Sequence, residues 1–465
     1  MAVRNTIFYI AGIILGVWAS SFLGLSCRQL IAVGAFSAIF FGAIFFWHYR
    51  LAFALFGVGV LLVTGLLDVP HVIEFASVDI ILFLIGMMVI VGYLEEKQFF
   101  EHLVNKLISF VGMDGNRLLI LLLIASGLSA ALVDEVTSIL FMSTAMLNIT
   151  NRYKLNPVPF VIMVVFATNI GSSATVVGNP IGVIIALRSG LGFMEFIRWA
   201  SPISLVVLLA TIAMFFIYYA RPIKELHKAM QAHKKEKAIK EAIPEKAVMP
   251  KDAAISGILF ACVILSLVFH AQTERLFGLE KNTMLLGTSI VGAGLALIIG
   301  RKQARDIVER KVDWWTLAFF LFLFASVGTL AYQGVTSAVA KVISGAAGNN
   351  VPLLMSICVW TSGALTSVMD NVLAVATFIP VIKDIGSMGV NIFPLWWSIL
   401  FGSTLLGNLT IIGSTANIVA VGLLEKRKIA QISFVEWLKA GIAIAIPGLA
   451  LAHLLLWLQL PLMGR

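Results

Sequence analysis

The feature that most constrains this chain is a pair of adjacent carboxylates, Asp134 and Glu135, inside an apolar run from Arg117 to Leu147. The run is long enough to enter a lipid bilayer. A charged side chain at the centre of a bilayer costs at least about 2.5 kcal/mol, so such residues are rare and functional by default. The pair therefore predicts a site inside the membrane.

The second half of the chain repeats this arrangement 236 positions later. Asp370 and Asn371 stand where the first run has Asp134 and Glu135, and a Ser-Gly pair precedes both acidic positions by the same distance. Each run is interpreted as a re-entrant helical hairpin, which enters and leaves the membrane on one face and carries the polar residues at its tip.

Composition assigns the chain to the polytopic membrane proteins. Of its 465 residues, 60% are hydrophobic and 12% are charged, and the mean hydropathy is +0.99. A soluble domain cannot bury so much apolar surface. The basic residues behind the net charge of +9 lie mainly between apolar runs, so nucleic-acid binding is not expected. The three cysteines are far apart and predict neither a disulfide framework nor a metal cluster.

The expected fold class is an all-α polytopic membrane protein with two inverted repeats, about eleven transmembrane helices, two re-entrant hairpins and two broken helices. The predicted parts are a first repeat with an extra N-terminal span (1–220), a basic linker (221–253), a second repeat (254–465), hairpins at about 117–148 and 351–385, and broken helices at about 157–187 and 394–424.

The distribution of basic residues predicts the orientation of the chain. The linker contains eight lysines. If the N-terminus is cytoplasmic and neither hairpin crosses the membrane, the linker and the other basic clusters all face the cytoplasm, as the positive-inside rule requires. The C-terminus then lies on the opposite face, and the protein is expected in the inner (plasma) membrane. The stretch 95–114 has the spacing of an amphipathic helix at the membrane interface.

A second unusual segment follows each hairpin, ATNIGSSATVVGNPIGVIIA in the first half and GSTLLGNLTIIGSTANIVAV in the second. Thr175 and Gly178 match Thr410 and Gly413, 235 positions later. Glycines interrupt both segments, and broken helices persist at membrane depth only where the freed backbone groups line a cavity or are buried in protein. Such breaks offer oxygen ligands and helix N-termini to an ion. The alternative is ordinary packing of small residues between helices.

The candidate substrate- or ion-binding residues are the polar and glycine residues of the two hairpin tips and the two broken helices. They are Asp134, Glu135, Asn169, Ser172, Ser173, Thr175, Gly178, Asn179, Asp370, Asn371, Asn408, Thr410, Gly413, Ser414, Thr415 and Asn417. A sodium ion, if one binds, is expected at Asp134, Asn169, Asp370 and Asn408.

Four ordered motifs, SAALVDEVTSILFM, NIGSSATVVGNPIG, TSVMDNVLAVATFIP and GNLTIIGSTANIVA, resemble the ArsB/NhaD branch of the ion transporter superfamily. This grouping includes arsenite permeases, sodium/proton antiporters and the melanosomal P protein, with divalent anion:sodium symporters and citrate transporters more distant. The resemblance spans nearly the whole chain. It implies a scaffold domain, a mobile transport domain that holds the hairpins and broken helices, and a homodimer.

The chain departs from this family pattern at three positions. Glu135 stands where the first hairpin tip usually has Asn. In the first broken helix, Asn179 stands where the related pattern GDPPN has Asp, and Gly182 replaces its final Asn. These departures suggest that a carboxylate has moved from the broken helix to the hairpin tip. Whether this chain carries the substrate that is usual in the family is therefore left open.

The expected function is secondary active transport coupled to H⁺ or Na⁺, with no other cofactor. The sequence places three carboxylates and no Lys or Arg at the site, which favours a small inorganic cation or a neutral hydroxide over an anion. Arsenite or antimonite efflux by alternating access is the leading hypothesis, and sodium/proton antiport is the alternative. Citrate or dicarboxylate symport ranks lower, because the hairpin tips lack the Ser-Asn-Thr signature of those symporters.

Two functions from other classes rank lower still. An intramembrane aspartyl protease also pairs two aspartates, but in Tyr-Asp and Gly-x-Gly-Asp contexts that Asp134 and Asp370 do not have. An enzyme is therefore not expected. A passive channel would not move its solute uphill, so an uphill flux distinguishes a transporter from it.

The predicted topology can be tested at the basic linker. A cysteine introduced at Lys235 is expected to react with a membrane-impermeant maleimide in inverted vesicles and to stay unlabelled in intact cells. Labelling of intact cells would contradict the predicted orientation.

Overall fold

The computed structural model describes residues 2–111, 114–237, 250–426 and 429–463. Within these ranges the chain is helical and contains no strand. Eight of the described helices are long and apolar enough to cross a membrane. The prediction of an all-α polytopic membrane protein is therefore confirmed.

The first half of the chain forms twelve of the described helices. In chain order they are α1 (Ala2–Ser21), α2 (Cys27–Phe45), α3 (Arg50–Val63), α4 (Val69–Phe75), α5 (Val78–Glu96), α6 (Phe99–Val111), α7 (Gly115–Leu132), α8 (Glu135–Arg152), α9 (Val158–Ser172), α10 (Pro180–Ser189), α11 (Phe193–Tyr218) and α12 (Ala220–Lys237). α12 covers the first part of the predicted basic linker, whose residues 238–249 lie outside the described residues.

The second half contributes the remaining described helices. They are α13 (Lys251–Val268), α14 (His270–Phe277), α15 (Thr283–Lys311), α16 (Trp314–Tyr332), α17 (Val335–Ala347), α18 (Val351–Thr366), α19 (Asn371–Ser387), α20 (Phe393–Leu406), α21 (Thr415–Lys426) and α22 (Phe434–Met463). The eight candidate spans are α2, α5, α7, α11, α13, α15, α16 and α22. The predicted total of about eleven also counts shorter apolar helices, such as α3.

The internal repeat extends well beyond the hairpins. The helices α5, α6, α7 and α8 each begin 236 positions before α16, α17, α18 and α19. The interfacial helix predicted from 95 to 114 is α6, and α17 is its counterpart in the second half. The sequence reasoning missed α17, because its small residues and single lysine make its amphipathic pattern weaker than that of α6.

The helices pack as two groups. The first, termed the scaffold group, consists of α1, α2, α3, α4, α5, α13, α15 and α16. The second, termed the core group, contains both hairpins and both broken helices, with α11 and α22 packed against them. α7 lies against α9 and α18 against α20, through equivalent backbone approaches at Gly127 and Gly363. Each hairpin therefore packs on the broken helix of its own half.

One cleft between the two groups holds two cavities. In both cavities α5 and α16 of the scaffold group form one wall, and α10 and α19 of the core group form the other. The first cavity has a volume of about 150 Å³ and the second of about 430 Å³. The C-terminal part of α5 and the N-terminal part of α16 both line the first cavity, so these equivalent helices run in opposite directions. This is the geometry of an inverted repeat.

An ion pair joins the two groups at the second cavity. Arg188 of α10 donates two hydrogen bonds to the carboxylate of Asp79 on α5, at 2.9 and 2.7 Å. The pair is bidentate, which adds geometric specificity to the charge attraction. It fastens the core group to the scaffold group at the end of the cleft away from the hairpin tips.

We expect the Arg188–Asp79 pair to contribute measurably to stability. Both side chains are partly exposed, so a double-mutant cycle of Asp79→Asn and Arg188→Gln should give a coupling of about 1 kcal/mol in thermal unfolding of the detergent-solubilised protein. The control is the exposed Arg305–Glu309 pair one helical turn apart, for which about 0.5 kcal/mol or less is expected. Equal couplings for the two pairs would contradict this prediction.

Candidate functional site

The aspartates of both hairpin tips are N-caps of the second hairpin helix. The Asp134 carboxylate accepts a hydrogen bond from the backbone N–H of Thr137 at 2.9 Å, and Asp370 accepts one from Val372 at 3.0 Å. A negative group at a helix N-terminus is also favoured by the helix dipole. The second oxygen of Asp370 accepts a hydrogen bond from the Thr415 hydroxyl at 2.6 Å, so this buried carboxylate contacts the second broken helix.

Glu135 lies where all four site segments meet, and only 2% of its surface is exposed. Its carboxylate is within hydrogen-bonding distance of the Ser172 hydroxyl at 3.3 Å, the Asn371 amide at 3.4 Å and the Ser414 hydroxyl at 3.4 Å. These donors come from the first broken helix, the second hairpin tip and the second broken helix. No Lys or Arg of the described residues forms an ion pair with Glu135, so its hydrogen-bond partners are neutral, and the nearby carboxylates of Asp134 and Asp370 add like charge.

Both predicted helix breaks are present. α9 ends at Ser172, and α10 begins after Asn179, whose side-chain oxygen accepts the backbone N–H of Gly182 at 2.8 Å. The Asn179 amide also donates to the Ser172 hydroxyl at 2.9 Å, which links the two ends of the break. In the second half, two short 3₁₀ turns, Gly407–Leu409 and Ile411–Gly413, separate α20 from α21.

A threonine in each break binds the backbone of the neighbouring hairpin. The Thr175 hydroxyl donates to the Ala131 carbonyl, and the Thr410 hydroxyl donates to the Ser367 carbonyl. Ala131 and Ser367 are themselves 236 positions apart. These two threonines were expected to be site residues; the structure places their hydroxyls on the hairpin backbone, where they hold each break against its own hairpin.

Three asparagines form a buried cluster next to Glu135 in the core group. The Asn169 amide donates to the side-chain oxygens of Asn408 at 2.7 Å and Asn417 at 2.8 Å. The Asn417 amide donates to the carbonyls of Gly407 and Thr410 at 2.8 and 2.9 Å. The side-chain oxygen of Asn169 has no hydrogen-bond partner among the described residues. The cluster therefore retains one free acceptor in the protein interior.

Ser173 lies apart from these contacts. Its hydroxyl is 2.8 Å from the Ser204 hydroxyl of α11 and donates to the Ile170 carbonyl at 2.7 Å. The adjacent Ser172, which contacts Glu135, faces the opposite way. Of the two serines, Ser172 is the one that the structure brings to the carboxylate.

The four residues expected to hold sodium are divided between two places. Asn169 and Asn408 belong to the buried asparagine cluster, whereas Asp134 and Asp370 cap separate helices at the hairpin tips. Among the described residues, no group of three or more His, Cys, Asp or Glu side chains has the arrangement of a metal site.

The first cavity opens directly onto the hairpin tips. Its polar lining consists of Glu95, Asp134, Glu135, Thr137, Asn179, Lys311, Asp313, Thr316, Asn371 and Thr415. The cavity thus places residues of both hairpins and both broken helices opposite residues of the scaffold group.

Lys311 corrects the expectation that the site has no Lys or Arg. Its ammonium lines the cavity and pairs with the Glu95 carboxylate at 3.0 Å. Sequence reasoning missed Glu95, Lys311 and Asp313, because charges at helix ends look the same whether they face water or a cavity. With four carboxylates and one ammonium in its lining, the cavity remains acidic.

The helix breaks allow a test of the site. A Cβ atom added at Gly178 would overlap the Ser172 carbonyl, and one added at Gly413 would overlap the Gly407 carbonyl. Gly178→Ala and Gly413→Ala should therefore displace the backbone around Glu135, at a cost of about 1–3 kcal/mol, and reduce transport at least about tenfold. The measurement is the initial uptake rate in inverted vesicles, normalised to the amount of protein in the membrane.

Gly422→Ala on α21 is the matched control, because nothing lies within 4 Å of an added Cβ there. Its transport rate should equal that of the wild-type protein. Normal transport by both Gly178→Ala and Gly413→Ala would show that these glycines serve only close packing between helices and are not needed at the transport site.

Comparison with known proteins identifies the family of the chain. A family model described as citrate transporter (CitMHS) matches residues 40–402. An uncharacterised transporter of Mycobacterium tuberculosis is 30% identical over 385 residues, which cover 82% of this chain and 86% of the relative. The human P protein is 26% identical over 443 residues, covering 80% of this chain and 52% of that protein.

The fold also resembles that of a solved transporter. The crystal structure of the YdaH transporter of Alcanivorax borkumensis superposes with a TM-score of 0.58 at 13% identity, and the match covers 85% of this chain and 90% of that one. At this identity the likeness concerns the fold alone. Because the family model matches most of the chain, the protein belongs to the CitMHS citrate transporter family of the ion transporter superfamily and is a secondary transporter.

Proposed function

We propose that this protein couples H⁺ or Na⁺ to the movement of a small inorganic solute by alternating access, as in the ArsB/NhaD branch. Arsenite or antimonite efflux is the leading case. The observation that carries the proposal is the environment of Glu135, a buried carboxylate that faces three neutral donors and no cation.

A buried carboxylate without a cationic partner is costly, so it is stable only when a proton or a cation neutralises it. Glu135 therefore has the properties of a coupling site: it binds one positive charge and releases it when the cleft rehydrates. Its donors come from both repeats and belong, like Glu135 itself, to the core group, so a movement of that group carries the site as one unit and changes which scaffold residues face it across the cleft. This links cation occupancy to the position of the core group.

The cavity beside Glu135 favours a small solute. Its volume of about 150 Å³ corresponds to roughly five water molecules and is below the roughly 300 Å³ at which pockets for organic ligands begin. Its acidic lining disfavours an anion. A neutral hydroxide can instead hydrogen-bond to Asn371 and Thr415, and these groups need no counter-charge.

Two other substrates have specific observations in their favour. Sodium/proton antiport is favoured by the free oxygen of Asn169, since neutral amide oxygens are suitable ligands for a hard cation. Citrate is favoured by the description of the family model and by Lys311, which supplies one positive charge to the cavity. The same transport experiment distinguishes these from arsenite.

The proposed orientation in the membrane follows from the distribution of basic residues, and the proposed homodimer follows from the resemblance to the ArsB/NhaD branch. We place it in the inner membrane with a cytoplasmic N-terminus and linker and with the C-terminus on the opposite face, as a homodimer. The basic clusters between spans support the orientation. A proteolytic role is not proposed, because Asp134 and Asp370 cap separate helices and no hydrogen bond joins them.

The test is transport by purified protein in proteoliposomes under an imposed proton gradient, with arsenite, sodium and citrate compared. The wild-type protein should move arsenite or sodium against its gradient, and the flux should depend on pH or on Na⁺. Glu135→Gln removes the titrating group with little change in shape, so it should abolish the dependence on the coupling cation and reduce uphill flux at least about tenfold.

Glu309→Gln is the control, because Glu309 is exposed and pairs only with the nearby Arg305 among the described residues. It should transport normally. If the flux of Glu135→Gln depended on the cation as the wild-type flux does, Glu135 would not be the coupling site. If the wild-type protein transported only citrate uphill, the substrate would be citrate and not arsenite or sodium.

A further inference from the structure

Arg50 is the one Lys or Arg side chain of the described residues that is buried, with 5% of its surface exposed. It lies at the start of α3 in the scaffold group. A buried charge normally has an ionic partner or several hydrogen bonds. Neither is present at Arg50, so its buried charge calls for an explanation other than a local ion pair.

The contacts of Arg50 are few for a guanidinium. One terminal nitrogen donates to the Thr316 hydroxyl at 2.6 Å, and the group stacks over the rings of Trp47 at 4.0 Å and Phe319 at 5.3 Å. Its Nε has no partner, and no carboxylate of the described residues lies within ion-pair distance. A guanidinium has five N–H donors, so most of its capacity is unused. Arg50 is thus held in place without a direct ion pair.

The charge of Arg50 acts on the transport site. Thr316, which receives its hydrogen bond, donates in turn to Asp313 at 2.5 Å, and both residues line the cavity beside Glu135. Arg50 also interacts electrostatically with Asp313 and with Asp370 at the second hairpin tip. The guanidinium therefore stands behind the scaffold wall of the cavity, facing the acidic tips across it.

We propose that Arg50 determines the cation affinity of the site: its fixed positive charge weakens binding of the coupling cation so that the cation can be released. The inference rests on the proposed coupling role of Glu135. The charged groups that face the cavity are Glu95, Asp134, Glu135, Asp313 and Lys311, with Asp370 behind the tip. Lys311 is already paired with Glu95, so Arg50 is the charge that offsets the remaining carboxylates.

A site that binds its ion too tightly cannot release it. At an effective dielectric constant near 20, a fixed unit charge behind the wall of a cavity changes the binding constant of a cation in that cavity by roughly tenfold. Removing the charge of Arg50 should therefore tighten cation binding by about that factor. Turnover should fall, because cation release becomes slower.

The experiment measures the half-saturating concentration of the coupling cation, Na⁺ or H⁺, for Arg50→Gln and Arg50→Lys. Two readouts are used: the initial transport rate in proteoliposomes, and the thermal stabilisation of the detergent-solubilised protein by the cation. Arg50→Gln should lower the half-saturating concentration about tenfold in both. Arg50→Lys keeps the charge and should stay within about threefold of the wild-type value.

Arg305→Gln is the control for loss of a basic residue at an exposed position and should leave both readouts unchanged. If Arg50→Gln fails to fold, Thr316→Val removes the hydroxyl that links the guanidinium to Asp313 at the cavity wall, and it should shift the half-saturating concentration in the same direction. A folded Arg50→Gln or Thr316→Val protein with the wild-type half-saturating concentration would overturn the role of Arg50 alone. A wild-type protein that responds to neither cation would overturn the proposed function as well.

Discussion

The structure depends on enclosing one carboxylate, Glu135, between the two halves of the chain. Removing an ionised carboxylate from water costs several kcal/mol, and hydrogen bonds to a charged group return about 1.5–3 kcal/mol each. Glu135 has three such donors, all from segments other than its own hairpin. These three bonds offset part of that cost, and a proton or a cation on Glu135 would remove the rest.

The repeat is regular in its backbone and unequal in its chemistry. Glu135 and Asn371 occupy equivalent positions and contact each other, so the axis that relates the halves passes between a carboxylate and an amide. Two glutamates there would repel each other, and two asparagines would bind no proton. With Glu at one tip and Asn at the other, this pair of equivalent positions holds one titrating group, and the charges of Lys311 and Arg50 lie on the scaffold side of the cavity.

Much of the core group could be predicted from the sequence, because the features that form it are local and occur twice. The hairpins follow from apolar runs with acidic tips, and the breaks follow from glycines at matching positions such as Gly178 and Gly413. The scaffold side of the site could not be predicted. Glu95, Lys311, Asp313 and Arg50 all lie at or next to helix ends, where charges are ordinary. Only the docking of α5 and α16 against the tips gives them a role.

The exchange of contacts between halves has a consequence for biogenesis. Asn371 and Ser414 follow Glu135 by more than 230 positions, and at about 5–20 residues per second the ribosome needs roughly 12–50 s to reach them. During that interval the first hairpin has only Ser172 of the three donors that contact Glu135 in the finished protein. The first half must therefore keep Glu135 protonated or in contact with water at the translocon until the second half is inserted. Assembly of the site is thus a late event of membrane insertion, not a property of either half.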